Sequence, residues 1–174
     1  MTATLLRSRP DCRVTAVDFS EAMLRKGREN IPDGLHSNVE FLVADAMKLD
    51  FPQATFDAVM SAYGLRNLDS NEVVLPKIRN VLRPGGKLVI LEFFRPEGIV
   101  SRLFNRTYSE FIIPIVGRAI SRHPEAYRHL RDSVRNFYTP TEYRELLQEI
   151  GFQNVEVKPQ TGGISHLITA EAVS

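Results

Sequence analysis

VTAVDFSEAMLRKGRENIPDGLHSNVEFLVADA, residues 14–46, is the stretch that decides the fold. It opens on a β-rich run at 14–17. Ser20 then has the side chain of an N-cap and starts a helix over about 20–30, and a second β-rich run follows at 39–43. Two strands joined through a helix pair in parallel, because parallel neighbours need a crossover of that length. The alternation extends outward on both sides. Upstream, 5–8 reads as a helix tail cut short by Pro10. Downstream come a strand at 56–60, a helix over about 71–82 that stops before Pro84-Gly85-Gly86, and a strongly apolar strand at 87–92. A helical stretch from about 99 to 135 precedes a helix capped by Thr139 and ended by Gly151. Two last strands, near 155–158 and 166–170, flank Thr161-Gly162-Gly163 closely enough for a hairpin. The expectation is an α/β fold: a mostly parallel sheet with helices on both faces and an antiparallel edge strand. It is expected as a single domain, 1–174, with a helical lid-like insertion at about 98–135.

Composition narrows the function classes. The chain has 174 residues, 43% apolar and 25% charged, with a net charge of +1, which suits one domain with a real core. The balance is uneven: 95–135 holds eight arginines against four acids. Such a segment either meets an anionic surface or is a solvated face. Cys12 is the only cysteine, which excludes an intrachain disulfide framework and fits a reducing, cytoplasmic setting. The four histidines lack metal-ligand spacing, and neither a metal nor a nucleic-acid partner is expected. No apolar run reaches the length of a membrane span, and the N-terminus lacks signal-peptide architecture.

Ligands of open α/β sheets bind beyond the carboxyl ends of the strands. Asp18 follows the first strand, where a carboxylate can accept both hydroxyls of a ribose; the alternative is an acid favoured by a helix N-terminus. Asp45 and Ala46 follow the second, where the carboxylate can take an adenine amino group and the Ala46 amide a ring nitrogen; the alternative is a solvated loop. Ser61, Ala62, Tyr63 and Gly64 follow the third, small enough in part for backbone to approach a ligand.

Taken in order, VDFSEAML (17–24), VADAMKLDFPQATFDAV (43–59) and VLRPGGKLVILEF (81–93) resemble the Rossmann-like class I S-adenosylmethionine methyltransferases. The resemblance implies S-adenosylmethionine as cofactor, with Met23 near the adenine unless it is plain core. YGLRN (63–67), LEF (91–93), RHPEAYRHLRDSVRNFYTP (122–140) and TGGI (161–164) are similar to the ubiquinone/menaquinone biosynthesis C-methyltransferase family. That likeness implies methyl transfer to a ring carbon of a prenylated benzoquinol or naphthoquinol, with cofactor positions at Asp18, Asp45-Ala46 and Ser61-Ala62. The chemistry asks for positioning and for a base or cation that favours the phenolate. Arg66 is the candidate cation, unless it pairs structurally with Asp57 or Asp69. His123, Tyr127 and Arg131 fall at i, i+4 and i+8 and share a face if helical, where they line a quinol pocket, with His123 as base, or a solvated surface. Residues 99–120 mix apolar side chains with arginines, as suits a lid at an anionic membrane surface, a helical hairpin packed on the domain, or a subunit interface.

That class normally opens on a strand ending in an E/D-x-G-x-G loop. None of the ten glycines precedes Gly27, and residues 1–10 look like the end of the helix after that loop. The first strand and the glycine-rich loop are therefore expected to be missing, leaving the domain incomplete at the N-terminus. Strands robbed of a central partner invite pairing with another chain, hence a homodimer. The alternatives are a methyltransferase for another small hydrophobic acceptor and a non-catalytic remnant that self-associates. A dinucleotide oxidoreductase is disfavoured by the absence of its fingerprint glycines.

Overall fold

The computed structural model describes residues 1–97 and 124–173; most of the expected insertion, 98–123, lies outside the described residues. The structure holds two compact units, Met1–Phe51 and Pro52–Ser174, and its strands form two ladders.

Unit 1 is the βαβ stretch with one helix before it. Helix α1 (Thr2–Ser8) buries Leu6. Strand β1 (Val14–Asp18) and β2 (Val39–Val43) pair in parallel, from Val14 opposite Val39 to Asp18 opposite Val43. Between them α2 (Glu21–Glu29) starts where the Ser20 hydroxyl accepts a bond from the Met23 amide at 3.4 Å. Glu21 lies in its first turn and Lys26 and Arg28 in its last, the order the helix dipole favours. Leu6, Ile31 and Val39 form the core, with Cys12, Val14, Ala16 and Phe41 packed on it. Cys12 is thus a small apolar filler of that core.

Unit 2 holds β3 (Phe56–Ala62), α3 (Asn71–Val81), β4 (Leu82–Phe93), α4 (Pro124–Asn136), α5 (Pro140–Glu149), β5 (Phe152–Gln160) and β6 (Ser165–Ala172). The sheet order is β3-β4-β6-β5, with β3 parallel to β4 and β6 antiparallel to both its neighbours. Three of the four strands run one way, as expected. The antiparallel strand, however, is one place in from the edge. Composition explains the exchange: β6 buries Ser165, Ile168, Ala170 and Ala172, whereas β5 carries Glu156, Lys158 and Pro159 and an irregular register between Gln153 and Glu156. Charges, bulges and a proline without an N–H belong on an edge.

Strand β4 begins five residues earlier than its apolar run because Leu82 already pairs with Phe56; the register then jumps to Lys87 opposite Ala58. The turn 83–86 bulges between these pairs. A Cβ on Gly86 would stand 2.8 Å from the Arg83 carbonyl oxygen, and Gly85 has φ +79°, so both glycines are steric requirements. Helix α5 is fixed by a reciprocal capping box between Thr139 and Glu142 with Pro140 in its first turn. It buries Tyr143 and Leu147.

Candidate functional site

In unit 1 the parallel register brings the carboxyl ends of β1 and β2 flush, so Asp18 and Asp45 stand at the same end of adjacent strands. The Ala44 amide donates to the Asp18 carbonyl at 3.1 Å, tying the two loops together. Asp18 Oδ1 accepts from the Ser20 amide at 2.8 Å, which fixes the carboxylate at the start of α2. Asp45 Oδ1 accepts from the Met47 amide at 2.9 Å and caps the short 3₁₀ turn Ala46–Lys48; Lys48 Nζ stands 3.4 Å from its other oxygen. That pair is exposed and contributes little. Met23 is 58% exposed, so it is not core. Phe19 and Val43 are exposed as well, leaving an apolar surround for two acids. This combination fits an adenosine: acids for its hydroxyl and amino donors, apolar side chains for its base.

In unit 2, β3 ends at Ser61 and Ala62, and the chain turns through Tyr63, at φ +58°. Gly64 closes the turn, where a Cβ would lie 3.3 Å from the Ser61 hydroxyl. Arg66 Nη1 meets Glu92 Oε1 at 2.6 Å and the Tyr63 carbonyl at 2.9 Å. Its partner is therefore Glu92, while Asp57 is taken by Arg83. The pair is 11% and 1% exposed on its two side chains. Glu92 Oε1 also accepts from the Phe93 amide at 2.8 Å, the Arg66 guanidinium lies 5.5 Å from the Phe93 ring centroid, and Tyr63 stacks on Phe93 at 4.6 Å. The positive charge of Arg66 is thus neutralised within the fold. Glu92 is the residue that sequence reasoning passed over. The signal was there: a carboxylate inside KLVILEF, an otherwise apolar strand, needs a cation when it is buried.

A cavity of about 820 Å³ opens beside this pair, with Arg66, Asp69, Glu72, Arg95, Tyr138 and Glu142 in its wall. Arg95 reaches both oxygens of Glu142 at 2.6 and 2.7 Å, and the Tyr138 hydroxyl donates to Glu72. Burial, together with Glu72, pushes the Tyr138 phenol up to about 12. The Tyr138 bond holds Glu72 below its ordinary value, and the Thr139 amide does the same for Glu142. Burial pushes Glu97 up, but bonds from Thr139 and Thr141 outweigh it and leave the group low.

His166 lines a second cavity, of about 350 Å³. Burial pushes its imidazole below the ordinary value of 6.5, and Glu97 opposes the shift. The signs combine. A histidine kept neutral in the fold binds its proton more readily when unfolded, so stability declines as pH falls below about 6.5. Carboxylates with lowered values begin to lose their contribution only as pH falls below about 4.5, and lose the rest as it passes down through their lower folded values. Acid unfolding is expected in two stages. His166→Gln should abolish the first and leave the second, read from urea midpoints between pH 7.5 and 3.5.

His123 lies outside the described residues. Tyr127 falls in α4, and its side chain is likewise outside what the structure describes. Arg131 is exposed and stands 3.4 Å from Asp132, as a solvated face would have it. Among the described residues no cluster of His, Cys, Asp or Glu could hold a metal ion, and no helix is long and apolar enough to cross a membrane.

Residues 1–171 match the family model described as the ubiE/COQ5 methyltransferase family. The chain is 37% identical over 156 residues to the ubiquinone/menaquinone biosynthesis C-methyltransferase UbiE of Pseudomonas fluorescens (strain Pf0-1), an alignment covering 89% of this chain and 61% of that protein. It therefore spans about three-fifths of the length of the curated relatives it matches. Among solved structures, a SAM-dependent methyltransferase from Aquifex aeolicus superposes with a TM-score of 0.60 at 20% identity, over 92% of this chain and 69% of that one. Human N-acetylserotonin methyltransferase in complex with SAM gives 0.62 at 20% identity, over 97% and 43%. These two likenesses are of fold.

Proposed function

Since this chain belongs to the ubiE/COQ5 methyltransferase family, we propose that the protein carries out S-adenosylmethionine-dependent C-methylation of a prenylated benzoquinol or naphthoquinol. The observation that carries the reading is the pair of carboxylates, Asp18 and Asp45, at the matched ends of adjacent parallel strands in unit 1. Asp18 would take the ribose hydroxyls. Asp45 and the Ala46 amide would take the adenine edge, with Met23 against its face. Ser61 and Ala62, at the end of β3, are the positions the family likeness assigns in unit 2.

When bound, S-adenosylmethionine supplies a methyl group already activated on a sulfonium, so the protein's task is to hold and orient. Arg66 contributes by ordering the 63–67 turn through Glu92 and the Tyr63 carbonyl. His123 and Tyr127 are proposed for the quinol side, and the arginine-rich segment for peripheral contact with an anionic membrane surface that delivers the prenyl tail.

The test is calorimetric titration with S-adenosylhomocysteine. Loss of a charge-assisted hydrogen bond costs roughly 1.5–3 kcal/mol, so Asp18→Ala should weaken binding roughly 10- to 100-fold. An unchanged affinity would remove Asp18 from the cofactor site.

A further inference from the structure

Helices α4 and α5 carry matching stripes of opposite charge. Arg128, Arg131 and Arg135 stand on α4 at i, i+3 and i+7, and Glu142, Glu145 and Glu149 repeat that spacing on α5. Each set therefore shares one helix face, and all six residues are exposed. Arg131 has Asp132 at 3.4 Å, and Glu142 has Arg95. Arg128, Arg135, Glu145 and Glu149 have no ion pair among the described residues. The acidic stripe works against its own helix. Glu145 and Glu149 are like charges one turn apart, and Glu149 lies in a last turn without a basic residue, where the helix dipole disfavours an acid.

The larger cavity, of about 820 Å³, opens between these helices, with Ser133 and Asn136 of α4 and Glu145 and Glu149 of α5 in its wall. Its two arginines are engaged, Arg66 by Glu92 and Arg95 by Glu142. Asp69, Glu72, Glu145 and Glu149 are left without a cation among the described residues. Leu68 and Leu146, both half-buried, line the groove as well. Such a groove accepts basic side chains around an apolar centre. The chain itself presents the complementary face, since α4 repeats the acidic spacing with the opposite sign. With a net charge of +1, two copies do not repel at long range.

We propose that this groove is an interface between two copies of the chain, in which Arg128 and Arg135 of each protomer meet Glu145 and Glu149 of the partner subunit. A two-fold axis along the groove lays the basic helix of one copy on the acidic helix of the other and makes the same contact twice. The like charges that strain α5 alone are offset there, and Leu68 and Leu146 are covered. The contact lies wholly within unit 2 and asks nothing of methyl transfer.

Sedimentation velocity on the unaltered chain measures the association. A dimer is expected at about 0.05 M salt, weakening about tenfold or more at about 0.5 M, because exposed ion pairs are screened. Arg128→Glu with Arg135→Glu should associate about 100-fold less tightly, and so should Glu145→Arg with Glu149→Arg. Mixing the two variants restores opposite charges at both contacts, and a heterodimer as tight as the original is expected. All four positions are exposed, so the fold should stand, which circular dichroism checks. Should a variant fail to fold, the unaltered chain decides by its response to salt. A monomer at low salt, a dimer indifferent to salt or to either charge reversal, or a folded mixture that stays monomeric overturns the assignment. So does an unaltered monomer whose binding to phosphatidylglycerol vesicles is lost in the arginine variant, since the basic stripe would then be a lipid-facing surface.

Discussion

Glu92→Gln should destabilise the protein by about 3–5 kcal/mol, the cost of removing one member of a buried ion pair. Glutamine keeps the volume and one carbonyl acceptor, so the Phe93 amide retains a partner. It does not keep the charge. Arg66 would then hold an uncompensated guanidinium at 11% exposure, against the Phe93 ring and the Tyr63 carbonyl. Urea unfolding should show a lower midpoint at an unchanged slope. Replacing both residues, as in Glu92→Leu with Arg66→Met, should recover much of the loss, because apolar pairs of similar volume often match a buried ion pair. A midpoint that stays put in Glu92→Gln would mean that the pair is not buried in solution.

Phe94→Ala should be nearly as severe, about 3–5 kcal/mol for a large aromatic removed from a packed interior. Phe94 is 2% exposed. Its ring meets Phe137 at 5.4 Å, Tyr143 at 5.3 Å and His166 at 5.8 Å, so the void cannot be closed by one neighbour alone. Tyr143 is itself anchored, donating to Asn71 at 2.7 Å while Asn71 donates to the Leu65 carbonyl at 3.0 Å. Thermal unfolding measures the loss. Phe94→Leu, which refills most of the space, should lose distinctly less, and equal losses would show that ring contacts rather than volume decide the site.

Much of this architecture was legible before any coordinates. The βαβ stretch at 14–46 showed period, cap and crossover together, and the structure reproduces all three. Asp18 and Asp45 could be placed at strand ends because a parallel register follows from the connection alone. What eluded the sequence lies across long separations. Glu92 in its apolar strand signals the need for a cation but not that the cation is Arg66, 26 positions away, and the pairing of Asn71 with Tyr143, 72 apart, leaves no local trace at all. The exchange of β5 and β6 was hidden for a different reason. A hairpin fixes that two strands are neighbours, but which of them joins the sheet depends on which face and edge the rest of the sheet offers. The charges on β5 and the buried small residues of β6 contain that answer, once the strand bounds are known.

The place of β6 bears on the order in which the chain acquires its structure. The last strand in sequence is an inner strand of its sheet, pairing Phe93 with Ser165 and Lys87 with Glu171. On a ribosome, β3 and β4 can meet early, yet β5 has no strand to pair with until β6 has emerged and slotted between β4 and β5. Contacts of such separation slow folding, because loop closure must precede any gain from pairing. During that interval the apolar edge of β4 waits uncovered, a period in which a chaperone, or the wrong strand, can reach it first.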